Sequence, residues 1–106
     1  EFTMKKFTIA LIASAAVLAT SLSAFAADHK VKIQGFKFSP ASLNVAAGDT
    51  VTFTNADGAP HTATGGGIDT GTLKKGESKT VTISAAGDIS YKCKFHPMMK
   101  GQIAAK

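Results

Sequence analysis

Tyr91-Lys92-Cys93-Lys94-Phe95-His96-Pro97-Met98-Met99-Lys100-Gly101 ends one structural element and opens another. Upstream of it, Ile89 and Tyr91 alternate with Ser90 and Lys92, the period of two that marks a half-buried strand. Cys93 continues the apolar side, so the strand ends on an inward thiol. His96-Pro97 and a methionine pair then follow within a few residues, in a segment short enough to be a tight loop. A thiolate, an imidazole and a thioether within seven residues can converge on one ion.

Working outward, the same alternation recurs. Val31 and Ile33, then Phe36 and Phe38, lie on a strand-like segment whose phase shifts at Gly35, as a bulge would shift it. Leu43 and Val45 form a short strand after Ser39-Pro40. Val51 and Phe53 alternate with threonines, and Val81 and Ile83 do so again. Ala47-Gly48-Asp49, Lys74-Lys75-Gly76 and Ala86-Gly87-Asp88 read as turns. Gly65-Gly66-Gly67 reads as a flexible loop, with no Lys-Ser/Thr after it to make a phosphate loop. Gln102 to Ala105 reads as an edge strand. Many short strands separated by Gly/Asp turns predict an all-β antiparallel sandwich.

The chemistry follows from the donor types. Thiolate and thioether are soft donors that suit copper(I), while imidazole suits copper in both states. Two histidines, one cysteine and a weak methionine make a blue-copper arrangement. The second histidine is His61, at the end of Asn55-Ala56-Asp57-Gly58-Ala59-Pro60-His61, 32 residues before Cys93. The two ligand segments must then meet across the sandwich.

These residues resemble the cupredoxin family, and within it the plastocyanin/amicyanin type. The shared pattern is an Asn-rich loop ending in Pro-His, then a distant Tyr-x-Cys-x-x-His-Pro-x-Met-x-Gly. The likeness extends from Phe36-x-Phe38-x-Pro40 through Gly48-Asp49-Thr50-Val51 to Gly101. The short Cys-x-x-His-x-x-Met spacing is similar to amicyanin, since the plastocyanin loop is longer. The resemblance implies a Greek-key β-sandwich, one type 1 copper held by His61, Cys93, His96 and Met99, and one-electron transfer. Met98 would then sit beside the exposed edge of His96. Thr62 departs from the family, which places Asn there to tie the ligand loops together. A hydroxyl is expected to replace that tie in part.

The chain opens with Glu1-Phe2-Thr3, which read as a remnant ahead of the initiator Met4. Lys5, Lys6, the apolar run Phe7–Leu18 and the small residues of Ala24-Phe25-Ala26 read as a secretory signal peptide over 4–26. Residues 27–106 are the expected domain, periplasmic or otherwise exported, monomeric and without a membrane span. That part carries ten lysines, no arginine and six acids, for a net +4. The plain reading is a solvated lysine surface; the sharper one is steering toward acidic redox partner proteins. Nucleic acid is not an expected partner, because arginine and aromatic platforms are lacking.

Other chemistries fit less well. Structural zinc usually takes two or more cysteines, and Cys93 is the only one. Haem attachment needs C-x-x-C-H. A copper enzyme needs further histidines, and only His29 is left. The chain is therefore expected to be an electron carrier and not an enzyme, with copper sequestration or delivery as the alternative. A processed terminus Ala27-Asp28-His29 would offer an amine, two amides and an imidazole, a square-planar set for copper(II). Against that stands the reading of His29 as an ordinary polar residue before the first strand.

Overall fold

The computed structural model describes residues 25–106. The remnant 1–3 and nearly all of the leader read over 4–26 lie outside the described residues. Nine strands occur among them, and no helix: β1 (Asp28–Ile33), β2 (Phe38–Ser39), β3 (Ser42–Val45), β4 (Thr50–Asn55), β5 (Thr64–Gly65), β6 (Ile68–Asp69), β7 (Ser78–Thr82), β8 (Gly87–Lys92) and β9 (Lys100–Ala105). They form two sheets, ordered β2-β1-β4-β7 and β3-β9-β8-β5-β6. Among the described residues no helix is long and apolar enough to cross a membrane.

Inward residues of both sheets make one core. Val31, Ile33, Val51 and Phe53 come from the first sheet, and Tyr91, Cys93 and Ile103 from the second or its edge. Three rings join the layers edge-on: Phe38 and Tyr91 at 4.8 Å, Phe53 and Tyr91 at 5.3 Å, and Phe38 and Phe53 at 6.3 Å. Such pairs contribute roughly 0.5–1.5 kcal/mol each beyond the area they bury. Burial pushes the Tyr91 phenol up to about 12. Gly101 lies opposite Tyr91 across the β8–β9 ladder, and a Cβ there would overlap the Tyr91 ring.

Five local readings change. The sandwich is mixed, not purely antiparallel, because β1 runs parallel to β4 and β3 parallel to β9. Alternation reports which face is buried and is silent on strand direction. Gln102–Ala105 belongs to an interior strand, covered by β3 on one side and β8 on the other. The Gly65–Gly67 segment is no loose loop but the bend of the β5–β6 hairpin. It packs so closely on β8 that a Cβ at Gly65 would lie 2.7 Å from Ser90 O. Gly87 and Asp88 open β8 and do not form a turn.

The phase shift at Gly35 is a hairpin, not a bulge. Gln34 and Lys37 exchange backbone hydrogen bonds of 3.0 and 3.2 Å, and Gly35 and Phe36 between them have φ of 65° and 57°. Positive φ at both central residues is the hairpin turn that matches strand twist. Glycine enters that region freely, whereas a phenylalanine there is strained. The turn carries Phe36 out of the core to half-exposure.

Candidate metal centre

Two loops at one end of the sandwich build the site. The first follows β4, where Asn55 is fully buried. Its Nδ2 donates to Ala59 O and Leu73 O at 2.8 Å each, and its Oδ1 accepts from Asp57 N at 2.9 Å. One satisfied side chain therefore shapes the whole Asn55–His61 loop. His61 is then pinned by two backbone bonds with Leu73, 3.1 and 2.8 Å long. The second loop leaves β8 at Cys93, whose N–H donates to Met99 O at 3.1 Å, while Met99 N donates to His96 O at 2.8 Å. These bonds close the Cys93–Met99 segment on itself.

The two loops place Cys93 Sγ 3.8 Å from His61 Nδ1 and 3.6 Å from His96 Nδ1. All three donor atoms lie within 4.8 Å of one another. An ion about 2.3 Å from sulfur and about 2.0 Å from nitrogen, with ligands at trigonal angles, separates S from N by roughly 3.7 Å. Both sulfur–nitrogen spacings bracket that value, so the donors present suit a trigonal ion. Cys93 and His61 are fully buried, and His96 is part-exposed. Met99 is buried and Met98 is 91% exposed, a contrast that separates two residues the sequence leaves adjacent.

Thr62 takes the place of the family's asparagine and makes the tie itself. Its N–H donates to Cys93 Sγ at 3.4 Å, and its Oγ1 accepts from Lys94 N at 2.9 Å. Thr64 Oγ1 donates to the same hydroxyl at 3.0 Å. The expected partial substitution is thus a direct inter-loop bond.

Two residues at the site went unread in the sequence. Asp57 Oδ2 lies 2.9 Å from His61 Nε2, so that ring nitrogen is engaged and Nδ1 is turned to the sulfur. Such a partner fixes ring orientation and tautomer in metal-binding histidines. The same carboxylate accepts from Phe36 N at 2.9 Å and Gly35 N at 2.8 Å. Those two amides, with His61 adding less, hold its carboxyl below the ordinary carboxylate value. Phe36, carried by that turn, sits edge-on to both imidazoles, with ring centroids 5.0 Å from His61 and 4.9 Å from His96. The signal available was the Gly35 phase shift; the spacing of Asp57 four residues before His61 is the other.

A mixed two-sheet sandwich with a Cys-His-His cluster at one end is the class of protein defined so far. The chain matches the family model described as a cupredoxin-like domain over residues 7–105 and belongs to that family. It is 32% identical over 108 residues to amicyanin-alpha of Methylorubrum extorquens, covering 92% of this chain and 91% of that protein. With amicyanin of Paracoccus denitrificans it shares 31% identity over 83 residues, 72% of this chain and 63% of that protein. Its fold is also similar to a purple cupredoxin from Nitrosopumilus maritimus, with a TM-score of 0.69 at 25% identity, covering 74% of this chain and all of that one.

Proposed function

We propose that this chain carries electrons between partner proteins in the periplasm, with one type 1 copper held by His61, Cys93, His96 and, as a weak fourth donor, Met99. The observation that carries this is the cluster of Cys93 Sγ with two imidazole nitrogens 3.8 and 3.6 Å from it, set in a buried site with one part-exposed ligand. Copper in such a site supplies a one-electron couple between its two oxidation states.

The rest is the work of the chain. Cys93 and His61 are closed to solvent, so water is kept from their donor atoms. Asp57 orients His61, and Thr62 joins the His61 loop to the Cys93 loop. Fixed ligands move little when charge changes, which keeps exchange fast. His96, flanked by exposed Pro97 and Met98, is the edge through which electrons pass. The exposed lysines 92, 94 and 100 near it support an acidic partner.

The test is the visible spectrum. The copper(II) protein should absorb strongly in the orange-red, and Cys93→Ser should not, because the band needs a thiolate. Its melting temperature should also lose the increment that metal binding adds by linkage. A Ser variant that stays blue overturns the assignment.

A further inference from the structure

Asp49 lies in the turn between β3 and β4, far along the chain from the Cys93 loop, and is only 7% exposed. Its Oδ1 accepts from Ala27 N at 2.9 Å. Its Oδ2 accepts from Ala46 N at 2.9 Å and lies 2.9 Å from His29 Nε2. Ala27 is held on its other side too, since Thr50 N donates to Ala27 O at 2.9 Å. The residues just before leave the domain: Phe25 is 92% exposed and Ala26 is exposed. A nearly buried carboxylate therefore grips the chain one residue past the small-residue cleavage pattern, and nothing before that point packs on the sandwich among the described residues.

We propose that Asp49 is the receptor for the amino terminus created by processing between Ala26 and Ala27. The proposal rests on the leader reading. Hydrolysis adds one water: the carbonyl carbon of Ala26 takes the oxygen and leaves as a carboxylate, and the nitrogen of Ala27 takes the protons and becomes an ammonium. That ammonium is already in place on Asp49, so a hydrogen bond from a neutral amide to a carboxylate becomes one between two opposite charges. Hydrogen bonds from His29 first, then from Ala27 and Ala46, hold the Asp49 carboxyl at about 2, so it is anionic when the ammonium forms. Asp28, the intervening acid, is engaged elsewhere, by Lys30, Thr50 and Thr52.

The same contacts decide the fate of the Ala27-Asp28-His29 copper(II) set. Square-planar capture needs the amine, both following amides and the His29 ring on one ion. Here the amine and the ring are both engaged by Asp49, and Asp28 and His29 lie opposite Thr50 and Val51 in the β1–β4 ladder. Capture requires peeling the start of β1 from β4. Asp49 therefore keeps the terminus closed to a second copper.

Two proteins released from ubiquitin fusions test this, one starting at Ala27 and one with a single Gly ahead of it. All nine strands lie within the shorter chain. The added residue moves the charge about 3.8 Å from Asp49 and changes nothing else in the domain. Loaded with one copper, the Ala27-first protein should melt roughly 3–6 °C higher at low salt, and 1 M salt should narrow that gap without closing it, because a nearly buried pair is screened much less than an exposed one. Asp49→Asn should abolish the gap. If that variant does not fold, the low-salt comparison of the two termini decides alone. Equal melting at low salt overturns the docking. In copper(II) titrations, the Ala27-first protein should bind a second ion about tenfold more weakly than its Asp49→Asn variant; equal affinity overturns the gating. The mass of the exported protein reads processing separately. A start other than Ala27 overturns the leader reading and the proposed physiological role, while the melting comparison still tests the Asp49 contact.

Discussion

Replacing Thr62 by Val removes one oxygen from the junction of the two ligand loops and keeps the shape of the side chain. Thr62 is 1% exposed, so water cannot replace that oxygen. Thr64 Oγ1 loses an acceptor but has Asp69 Oδ1 at 3.4 Å to turn to. The Lys94 amide, which donated to Thr62 Oγ1 at 2.9 Å, has no such recourse. A buried donor left unpaired costs about 1–3 kcal/mol; because this amide is only part-buried, the lower half of that range applies. For a domain of 60–100 residues each kcal/mol moves the melting temperature by roughly 4–8 °C, so the metal-free variant should melt roughly 5–15 °C lower. Loosening Lys94 also loosens the neighbouring Cys93, whose sulfur accepts from Thr62 N. That bond draws electron density from the thiolate and favours the reduced ion, so the reduction potential should fall. Thr62→Ser is the control: it loses a buried methyl and some stability but keeps the hydroxyl, and its potential should stay near the parent value. Calorimetry and voltammetry read the two effects. A Val variant whose potential equals that of the Ser variant would refute the loop tie, whatever its stability.

Met99→Leu should raise the reduction potential by roughly 60 mV or more, the one-electron equivalent of a tenfold shift, while Met98→Leu should barely move it; the reverse order in voltammetry would make Met98 the fourth donor. Gly101→Ala drives a methyl into the Tyr91 ring and should cost about 1–3 kcal/mol, read as a lower melting temperature with an unchanged visible spectrum. Asp49 has its carboxyl at about 2, below the ordinary 3.8, so its ionised form stabilises the fold: that contribution is complete above about pH 4 and is lost as pH falls toward 2. The melting gap between wild type and Asp49→Asn should therefore be steady near pH 5 and close between pH 4 and pH 2. A gap that widens on acidification contradicts the sign.

The parts of this protein legible in the sequence are those that repeat along the chain or cluster within it. Val51 and Phe53 against their threonines, or Ile89, Tyr91 and Cys93 against Ser90 and Lys92, announce a buried face because burial acts residue by residue. The Cys93–Met99 loop is legible for a different reason. Its donors are close in sequence, so little of the fold is needed to bring them together. Strand direction is another matter. The parallel pairs β1–β4 and β3–β9 leave the same alternation as antiparallel ones, and Gln102–Ala105 looks like an edge until β3 is placed beside it.

Asp57 shows why the remainder stayed hidden. In sequence it is one acid in a loop, two residues past an asparagine. Its role exists only after three separate choices have been made: a hairpin at Gly35-Phe36, an Asn55 side chain that curls the next loop, and parallel pairing that sets Ile33 opposite Asn55. That register brings the turn after β1 alongside the loop after β4, and one carboxylate then answers two amides and an imidazole. The strained Phe36 backbone is understandable in the same terms. A phenylalanine at positive φ costs free energy on its own; two hydrogen bonds from Asp57 offset it, and the ring is delivered across His61 and His96. The centre is thus held from three directions: Thr62 ties its two loops together, Asp57 orients His61 from behind, and Phe36 covers both rings. A histidine gripped at Nε2 and facing sulfur with Nδ1 has one orientation available, and that restriction fixes the place of its donor atom as firmly as the fold fixes Cys93.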